Sequence, residues 1–176
     1  MKNVIIGIGI PGSGKSTLLK KYAEENGWKY VCPDNVRLEL TGDATDHTQE
    51  GAVWKKVFDD VAEYIKKGHT VVVDATFGDD RQRQEFLDFA RTHGAQKIEG
   101  VYVNTSLETS KERNKGRERI VPDFAIERIH DSLTKYPPKI SEGFDAIFEL
   151  TEDGIVHEIT ADTGGREIKR SLGKLR

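Results

Sequence analysis

The chain has 176 residues, a formal net charge of −3, 36% hydrophobic residues and 32% charged residues. This length predicts one domain that buries its own core, and the high charged share is typical of a well-hydrated protein. No apolar run approaches the ~20 residues that cross a bilayer, so we expect no membrane span. The N-terminus enters a strand at once rather than a signal peptide, and the single cysteine, Cys32, excludes an internal disulfide. These features favour a reducing, cytoplasmic location.

Apolar segments of strand length alternate with helical periodicity, which predicts an α/β domain with a mostly parallel sheet. The predicted strands, in chain order, are Val4–Ile8, Lys29–Cys32, Thr70–Asp74, Lys97–Val103 and Ala146–Leu150. The predicted helices run from the first glycine loop to about Asn26 and then over Gln49–Lys67, Asp80–His93, Leu107–Lys115 and Asp123–Lys135. Thr105 and Glu108 have the spacing of a capping box for the helix that begins near Leu107. The last residues predict two strands joined at Asp153-Gly154, followed by a basic tail.

A glycine-rich stretch follows the first predicted strand and reads GIPGSGKS from Gly9 to Ser16. It fits the pattern G-x-x-x-x-G-K-[ST] at every fixed position, and the flanking strand and helix supply the context that this pattern requires. The glycines let successive backbone N–H groups converge on phosphate oxygens, and the helix N-terminus adds a positive potential. We therefore predict ATP with Mg²⁺, since no guanine-specificity motif is found. The predicted ligands are Gly12, Ser13, Gly14, Lys15, Ser16 and Thr17, with the Ser16 hydroxyl on the metal.

Two acidic residues follow predicted strands, at the sheet edge where the phosphate loop also lies. Asp34 lies in VCPDNVR, and Asp74 ends the strand in VVVDAT. Asp34 is interpreted either as a general base that accepts a proton from an attacking hydroxyl or as the N-cap of a short helix. Arg37 would share its helix face and either pair with it or bind an acceptor phosphate. Asp74 is expected to hold a Mg²⁺-bound water, to order Arg37 or Lys15, or only to begin a turn.

The stretch KERNKGRER at residues 111–119 supplies Arg113, Arg117 and Arg119. Arg113 and Arg117 have i, i+4 spacing, with the flexible Gly116 between them. By itself such a run is typical of a solvated helix end. Beside a phosphate loop it favours a lid whose arginines stabilise the charge on a transferred phosphoryl group.

Taken in order, GIPGSGKST, DNVR, VVVDAT and KERNKGR resemble the kinase domain of P-loop polynucleotide 5′-kinases from phage and bacterial nucleic-acid repair. The resemblance covers about residues 2–150. It implies an adenylate-kinase-like, three-layer α/β domain with a mostly parallel five-stranded sheet. Residues 1–150 would then form the kinase domain, and residues 151–176 a small C-terminal β extension with the basic tail.

The resemblance also implies roles for individual residues. Asp34 would be the general base for a 5′-hydroxyl, and Arg37 would contact the phosphate beside that hydroxyl. Where relatives often have asparagine after D-A-T, this chain has Phe77, an aromatic side chain able to stack on a base. The implied catalytic residues are Asp34, Lys15, Arg37 and Arg117. Of the lid arginines, Arg113 and Arg117 would hold ATP. The residues implied to bind the acceptor are Asp34, Arg37, Asp74, Thr76 and Arg83, and Arg81 is an alternative to Arg83.

The acceptor itself stays open at the level of sequence. The first choice is the 5′-hydroxyl end of DNA or RNA; the alternatives are a nucleoside, a small metabolite, a sugar-nucleotide or a modified base in phage DNA, or a non-catalytic nucleotide switch or ATPase. The acidic net charge disfavours nucleic acid slightly, whereas the basic tail favours it unless the tail only solubilises the protein. That tail contains Arg166, Lys169, Arg170, Lys174 and Arg176. Repair relatives commonly carry a phosphatase or ligase domain, so this chain is expected to be a stand-alone kinase or one whose repair partners lie on separate chains.

Overall fold

A computed structural model describes residues 2–161 and 169–174. The described residues form one seven-stranded sheet with the order β2-β3-β1-β4-β5-β6-β7. Strands β1 to β5 are parallel, and β6 and β7 continue the same sheet as antiparallel strands. The strands are β1 Asn3–Ile8, β2 Lys29–Val31, β3 Val71–Asp74, β4 Lys97–Asn104, β5 Ala146–Thr151, β6 Ile155–Ile159 and β7 Lys169–Lys174.

Six α-helices connect the strands in the described part of the chain, and two short 3₁₀ turns lie at His47–Gln49 and Ile140–Glu142. The helices are α1 Lys15–Asn26, α2 Pro33–Thr41, α3 Glu50–Lys66, α4 Asp80–Thr92, α5 Leu107–Lys115 and α6 Asp123–Lys135. The mostly parallel α/β fold predicted from the sequence is therefore confirmed. No helix among the described residues is both long enough and apolar enough to traverse a bilayer.

The alternation of side chains along the central strands divides the core between the two faces of the sheet. Ile5 of β1 packs with Leu19 and Ala23 of α1 on one face. Val4, Ile6 and Ile8 belong to the larger cluster on the other face. Its helical members come from α2, α3, α4 and α6: Val36, Val53, Val57, Val61, Ile65, Phe86, Leu87, Ala90, Ile126 and Leu133. The sheet is thus the middle layer of three.

The order of the strands places the functional loops together. From β1 the chain moves to β2 and β3 on one side and then to β4 and β5 on the other. In such a sheet the ligand crevice lies outside the carboxyl ends of the strands at this reversal. The loops after β1, β2 and β3 all lie at that edge.

One local prediction is wrong, and one segment that the sequence leaves unassigned has regular structure. The N-cap of α5 is Ser106, whose hydroxyl accepts from the backbone N–H of Thr109, whereas Thr105 is buried and donates to the Ser13 carbonyl. The basic tail is partly a strand, because Arg170 and its neighbours form β7 at the sheet edge. Its residues Arg166 and Arg176 lie outside the described residues.

Candidate active site

The phosphate loop joins β1 to α1, as the pattern predicts. Gly12 and Gly14 have φ angles of 84° and 94°, in the left-handed region that favours glycine. A Cβ atom on Gly12 would lie 2.1 Å from the backbone oxygen of Ser110, because the loop packs directly on α5. Backbone packing and backbone conformation therefore both require glycine at this position.

An open cleft of about 220 Å³ lies over the phosphate loop. Arg113 extends from α5 to the loop, where its Nη1 donates to the Ser13 carbonyl at 3.2 Å. The cleft residues that the sequence assigns to nucleotide binding are Gly12, Ser13, Gly14, Lys15, Ser16, Thr17, Arg113 and Arg117. The structure therefore gathers the predicted phosphate loop and two lid arginines around one cavity.

Lys15 and Asp74 form a buried ion pair beneath this cleft. The Lys15 Nζ lies 2.7 Å from Oδ1 of Asp74, and the Tyr30 hydroxyl donates to Oδ2. Burial alone would raise the pKa of Asp74, but the charge and hydrogen bond of Lys15, with hydrogen bonds from Ser16 and Tyr30, lower it. Of the roles considered for Asp74, the structure shows the ordering of Lys15.

Asp34 lies in the first turn of α2, but it is not the N-cap residue, which is Cys32. Its carboxylate instead binds two guanidinium groups. Oδ1 lies 2.7 Å from Nη1 of Arg37, and Oδ2 lies 2.5 Å from Nη1 of Arg119. Burial tends to raise the pKa of Asp34, but hydrogen bonds and charge from Arg119 and then Arg37 lower it below the usual value. Asp34 is therefore ionised at neutral pH.

Arg37 is buried and already engaged by several acceptors. Its Nε and Nη2 bind the two carboxylate oxygens of Glu50 at 2.6 and 3.1 Å, and its Nη1 also donates to the Ala44 carbonyl at 3.3 Å. The Glu50 hydrogen bond is the main reason why the pKa of Arg37 is raised. In this arrangement Arg37 holds Asp34 in place.

Arg83 and Phe77 do not reach the acceptor crevice, because both side chains are buried in the protein interior. Arg83 is fully buried and binds Glu142 through Nε at 2.6 Å and Nη2 at 2.8 Å. Phe77 is also fully buried, and its ring centroid lies 5.3 Å from that of Phe86 and 6.3 Å from that of Trp54. Neither side chain is free to contact a substrate. Arg81, the competing candidate, is exposed at the start of α4.

Thr76 contacts the phosphate loop through its backbone. Its backbone carbonyl accepts from the N–H of Gly9 at 3.1 Å. This bond ties the loop after β3 to the beginning of the phosphate loop. The structure thus shows Thr76 supporting the donor side.

Sequence reasoning missed three members of these networks. Tyr30 binds Asp74, Glu50 binds Arg37, and Asn114 binds both backbone groups of Val121. Each pairing joins residues that are distant in sequence or separated by a loop of no fixed length, so no local spacing predicts it. Arg119 was visible as part of the arginine run, but its partner was not.

A divalent cation would need ligands from the nucleotide as well as from the protein. Among residues 2–161 and 169–174, no group of three or more His, Cys, Asp or Glu side chains could hold a metal alone. Ser16 lines the cleft over the phosphate loop, next in sequence to Lys15 of the buried ion pair. Its hydroxyl is an oxygen ligand of the kind that Mg²⁺ prefers, and Mg²⁺ usually takes further ligands from phosphates and water. The residues therefore fit a Mg²⁺ ion that is brought with nucleotide phosphates.

Comparison with known proteins identifies a family and a curated relative. A family model described as an AAA domain (AAA_33) matches residues 4–136. A protein of Acanthamoeba polyphaga mimivirus named "Putative bifunctional polynucleotide phosphatase/kinase" is 25% identical over 156 residues, covering 85% of this chain and 33% of that protein. The chain thus spans about a third of that curated relative.

Solved structures show the same relationship. A chain of the Pnkp1/Rnl/Hen1 RNA repair complex matches with a TM-score of 0.69 and 25% identity, over 81% of this chain and 46% of that one. A shikimate kinase from Bacteroides thetaiotaomicron matches with a TM-score of 0.56 and 20% identity, over 83% and 85% of the two chains, and shows a shared fold only. Because the matched family span runs from β1 through α6 and includes the phosphate loop, the resemblance to polynucleotide kinases is confirmed, and the chain belongs to the AAA_33 family of P-loop kinase domains.

Proposed function

We propose that this protein is an ATP- and Mg²⁺-dependent kinase that transfers the γ-phosphate of ATP to the 5′-hydroxyl end of DNA or RNA. The observation that carries the proposal is the ionised carboxylate of Asp34, held by Arg37 at the same sheet edge as the phosphate loop. A nucleotide switch has no need of an acceptor base, so this arrangement favours a kinase. The names of the mimivirus protein and the RNA repair complex support a polynucleotide as acceptor.

In the proposed reaction Asp34 accepts the proton of the acceptor hydroxyl. The acceptor oxygen forms a bond to the γ-phosphorus while the bond from that phosphorus to the β–γ bridging oxygen breaks, and ADP leaves. Arg37 is a positioning residue, because its own hydrogen bonds hold the Asp34 carboxylate and Glu50. Asp34 is thus the group that touches the reacting hydroxyl.

On the donor side the phosphate loop, Lys15, Arg113 and Arg117 would hold the triphosphate. Lys15 leaves Asp74 or is shared with it when phosphates bind, since the pair lies under the cleft. Mg²⁺, when bound, neutralises charge on the β- and γ-phosphate oxygens, and Ser16 is its proposed protein ligand. Arg113 and Arg117 stabilise the charge that develops on the transferred group.

The remaining parts of the proposal concern the rest of the chain. We assign residues 1–150 to the kinase domain and residues 151–176 to a C-terminal extension with a basic tail, in which β6 and β7 are the described strands. We also propose that the protein acts with repair partners on separate chains and that its location is cytoplasmic. The RNA repair complex among the matched structures supports the partners, and the single cysteine supports the location.

One experiment tests the acceptor class. The protein is incubated with γ-labelled ATP, Mg²⁺ and, separately, 5′-hydroxyl oligonucleotides of DNA and RNA, nucleosides, simple sugars, sugar-nucleotides and modified-base DNA. We expect label at the 5′ end of the oligonucleotides. Label that appears only on small alcohols would indicate that the acceptor is a metabolite rather than a polynucleotide. Release of labelled phosphate with no labelled acceptor would favour a switch or ATPase.

A further inference from the structure

The three arginines of the stretch 111–119 lie on different sides of the site. Arg113 and Arg117 line the nucleotide cleft, whereas Arg119 does not. Its guanidinium lies instead on Asp34, with Nη1 2.5 Å from Oδ2. The segment that was predicted to be a lid over ATP therefore also reaches the acceptor side.

Arg119 is part of a closed ring of polar contacts. Its Nη2 lies 3.2 Å from Nε2 of His47, and Nδ1 of His47 lies 3.1 Å from Oε1 of Glu50. Glu50 binds Arg37, and Arg37 binds Oδ1 of Asp34. Arg119 thus covers the one carboxylate oxygen of Asp34 that Arg37 leaves uncovered.

The two arginines on Asp34 differ in how easily they can move. The Arg37 side chain is 5% exposed and bound to Glu50, whereas the Arg119 side chain is 23% exposed and Asp34 is 40% exposed. Partly exposed ion pairs contribute little net stability because water and salt screen them. A ligand can therefore take Arg119 from Asp34 without disturbing Arg37.

The base of this segment is fixed. The buried side chain of Asn114 accepts from the backbone N–H of Val121 at 3.1 Å and donates to its carbonyl at 2.7 Å. Arg119 lies in the short loop between these anchors. Its side chain can change partner while the loop stays in place.

We propose that Arg119 selects acceptors by charge: it covers the Asp34 carboxylate in the free protein and is drawn away only by an acceptor that carries its own phosphate beside the reacting hydroxyl. A guanidinium binds a phosphate in the same two-pronged manner as a carboxylate, so the exchange keeps its hydrogen bonds satisfied. A neutral alcohol offers no replacement partner and must compete with Arg119 for Asp34. This inference rests on the proposed kinase function and names the acceptor group that the site requires.

The test compares two acceptors that differ in one charge. The first is a short 5′-hydroxyl oligonucleotide, and the second is the same oligonucleotide with a neutral methylphosphonate as its first internucleotide linkage. We expect wild-type kcat/KM to be higher for the anionic acceptor. In Arg119→Ala this preference should fall by about tenfold or more, the loss of one charge-assisted contact, while the KM for ATP stays within about twofold.

The matched control is Arg128→Ala, which replaces an exposed arginine of the neighbouring helix α6. It should leave the preference for the anionic acceptor unchanged. If Arg119→Ala does not fold, Arg119→Gln keeps part of the aliphatic stem and a shorter, uncharged N–H donor, and it should show the same fall. An unchanged preference in a folded Arg119 variant would overturn the inference. Failure of the proposed function gives a different result, because the wild-type protein would then phosphorylate neither oligonucleotide.

Discussion

The buried pair of Arg83 and Glu142 gives a prediction that separates a structural from a substrate-binding arginine. The Arg83 side chain is 0% exposed and that of Glu142 is 6% exposed. In Glu142→Ala the guanidinium keeps only the carbonyls of Phe77 and Tyr136, at 2.9 and 2.8 Å, as partners. Removing one partner of a buried ion pair leaves an uncompensated charge, so we expect a loss of about 3–5 kcal/mol in the free energy of unfolding.

That loss is a large part of the ~5–15 kcal/mol that stabilises a typical domain. Urea unfolding measures it directly, and at about 2–4 °C per kcal/mol the Tm should fall by about 6–20 °C. The matched control is Glu127→Ala, which breaks an exposed pair with Lys111 and should cost at most ~1 kcal/mol. Equal losses in the two variants would refute the buried-pair reasoning. A raised acceptor KM in Arg83→Lys at unchanged stability would restore Arg83 as a substrate residue.

Three further predictions concern the site itself. Gly12→Ala should abolish ATP binding in calorimetry, because its Cβ would clash with the backbone of α5; wild-type affinity would contradict this. Tyr30→Phe should cost about 1–3 kcal/mol in urea unfolding. The hydrogen bond from the Tyr30 hydroxyl helps to lower the pKa of Asp74, and the charged form of Asp74 stabilises the fold. Acid unfolding of Tyr30→Phe should therefore begin at higher pH than in wild type. An unchanged acid transition would show that this hydrogen bond does not stabilise the charged carboxylate. Arg119→Ala removes a group that lowers the pKa of Asp34, so the acid limb of kcat/KM should move to higher pH; an unmoved limb would exclude Asp34 as its source.

The strands and helices could be predicted because their apolar periodicity is strong. The predicted strand Lys97–Val103 is observed as Lys97–Asn104, and the predicted helix over Gln49–Lys67 is observed as Glu50–Lys66. The phosphate loop could be predicted because its pattern is local. A short helix near Asp34 was expected with Asp34 as its N-cap, whereas α2 begins at Pro33 and its N-cap is Cys32.

The errors arose where a side chain's partner lies far along the chain. Arg83 precedes Phe86, Leu87 and Ala90 on the buried face of α4, a spacing that indicates burial, but its partner Glu142 lies in a segment that reads only as a loop. Phe77 completes an aromatic cluster that forms only when α3 and α4 pack on the sheet. A sequence motif identifies candidate residues by type and spacing, whereas the burial of a side chain and its pairing partner depend on tertiary contacts.

The central claim is that Asp34 accepts the proton of the acceptor hydroxyl. The most direct measurement is single-turnover transfer from γ-labelled ATP to a 5′-hydroxyl oligonucleotide by wild type and Asp34→Asn, with ATP affinity measured on the same samples. We expect the variant to bind ATP as wild type does and its transfer rate to fall by about 10²–10⁴-fold, the usual contribution of a general base. Transfer at a rate near that of wild type would contradict it.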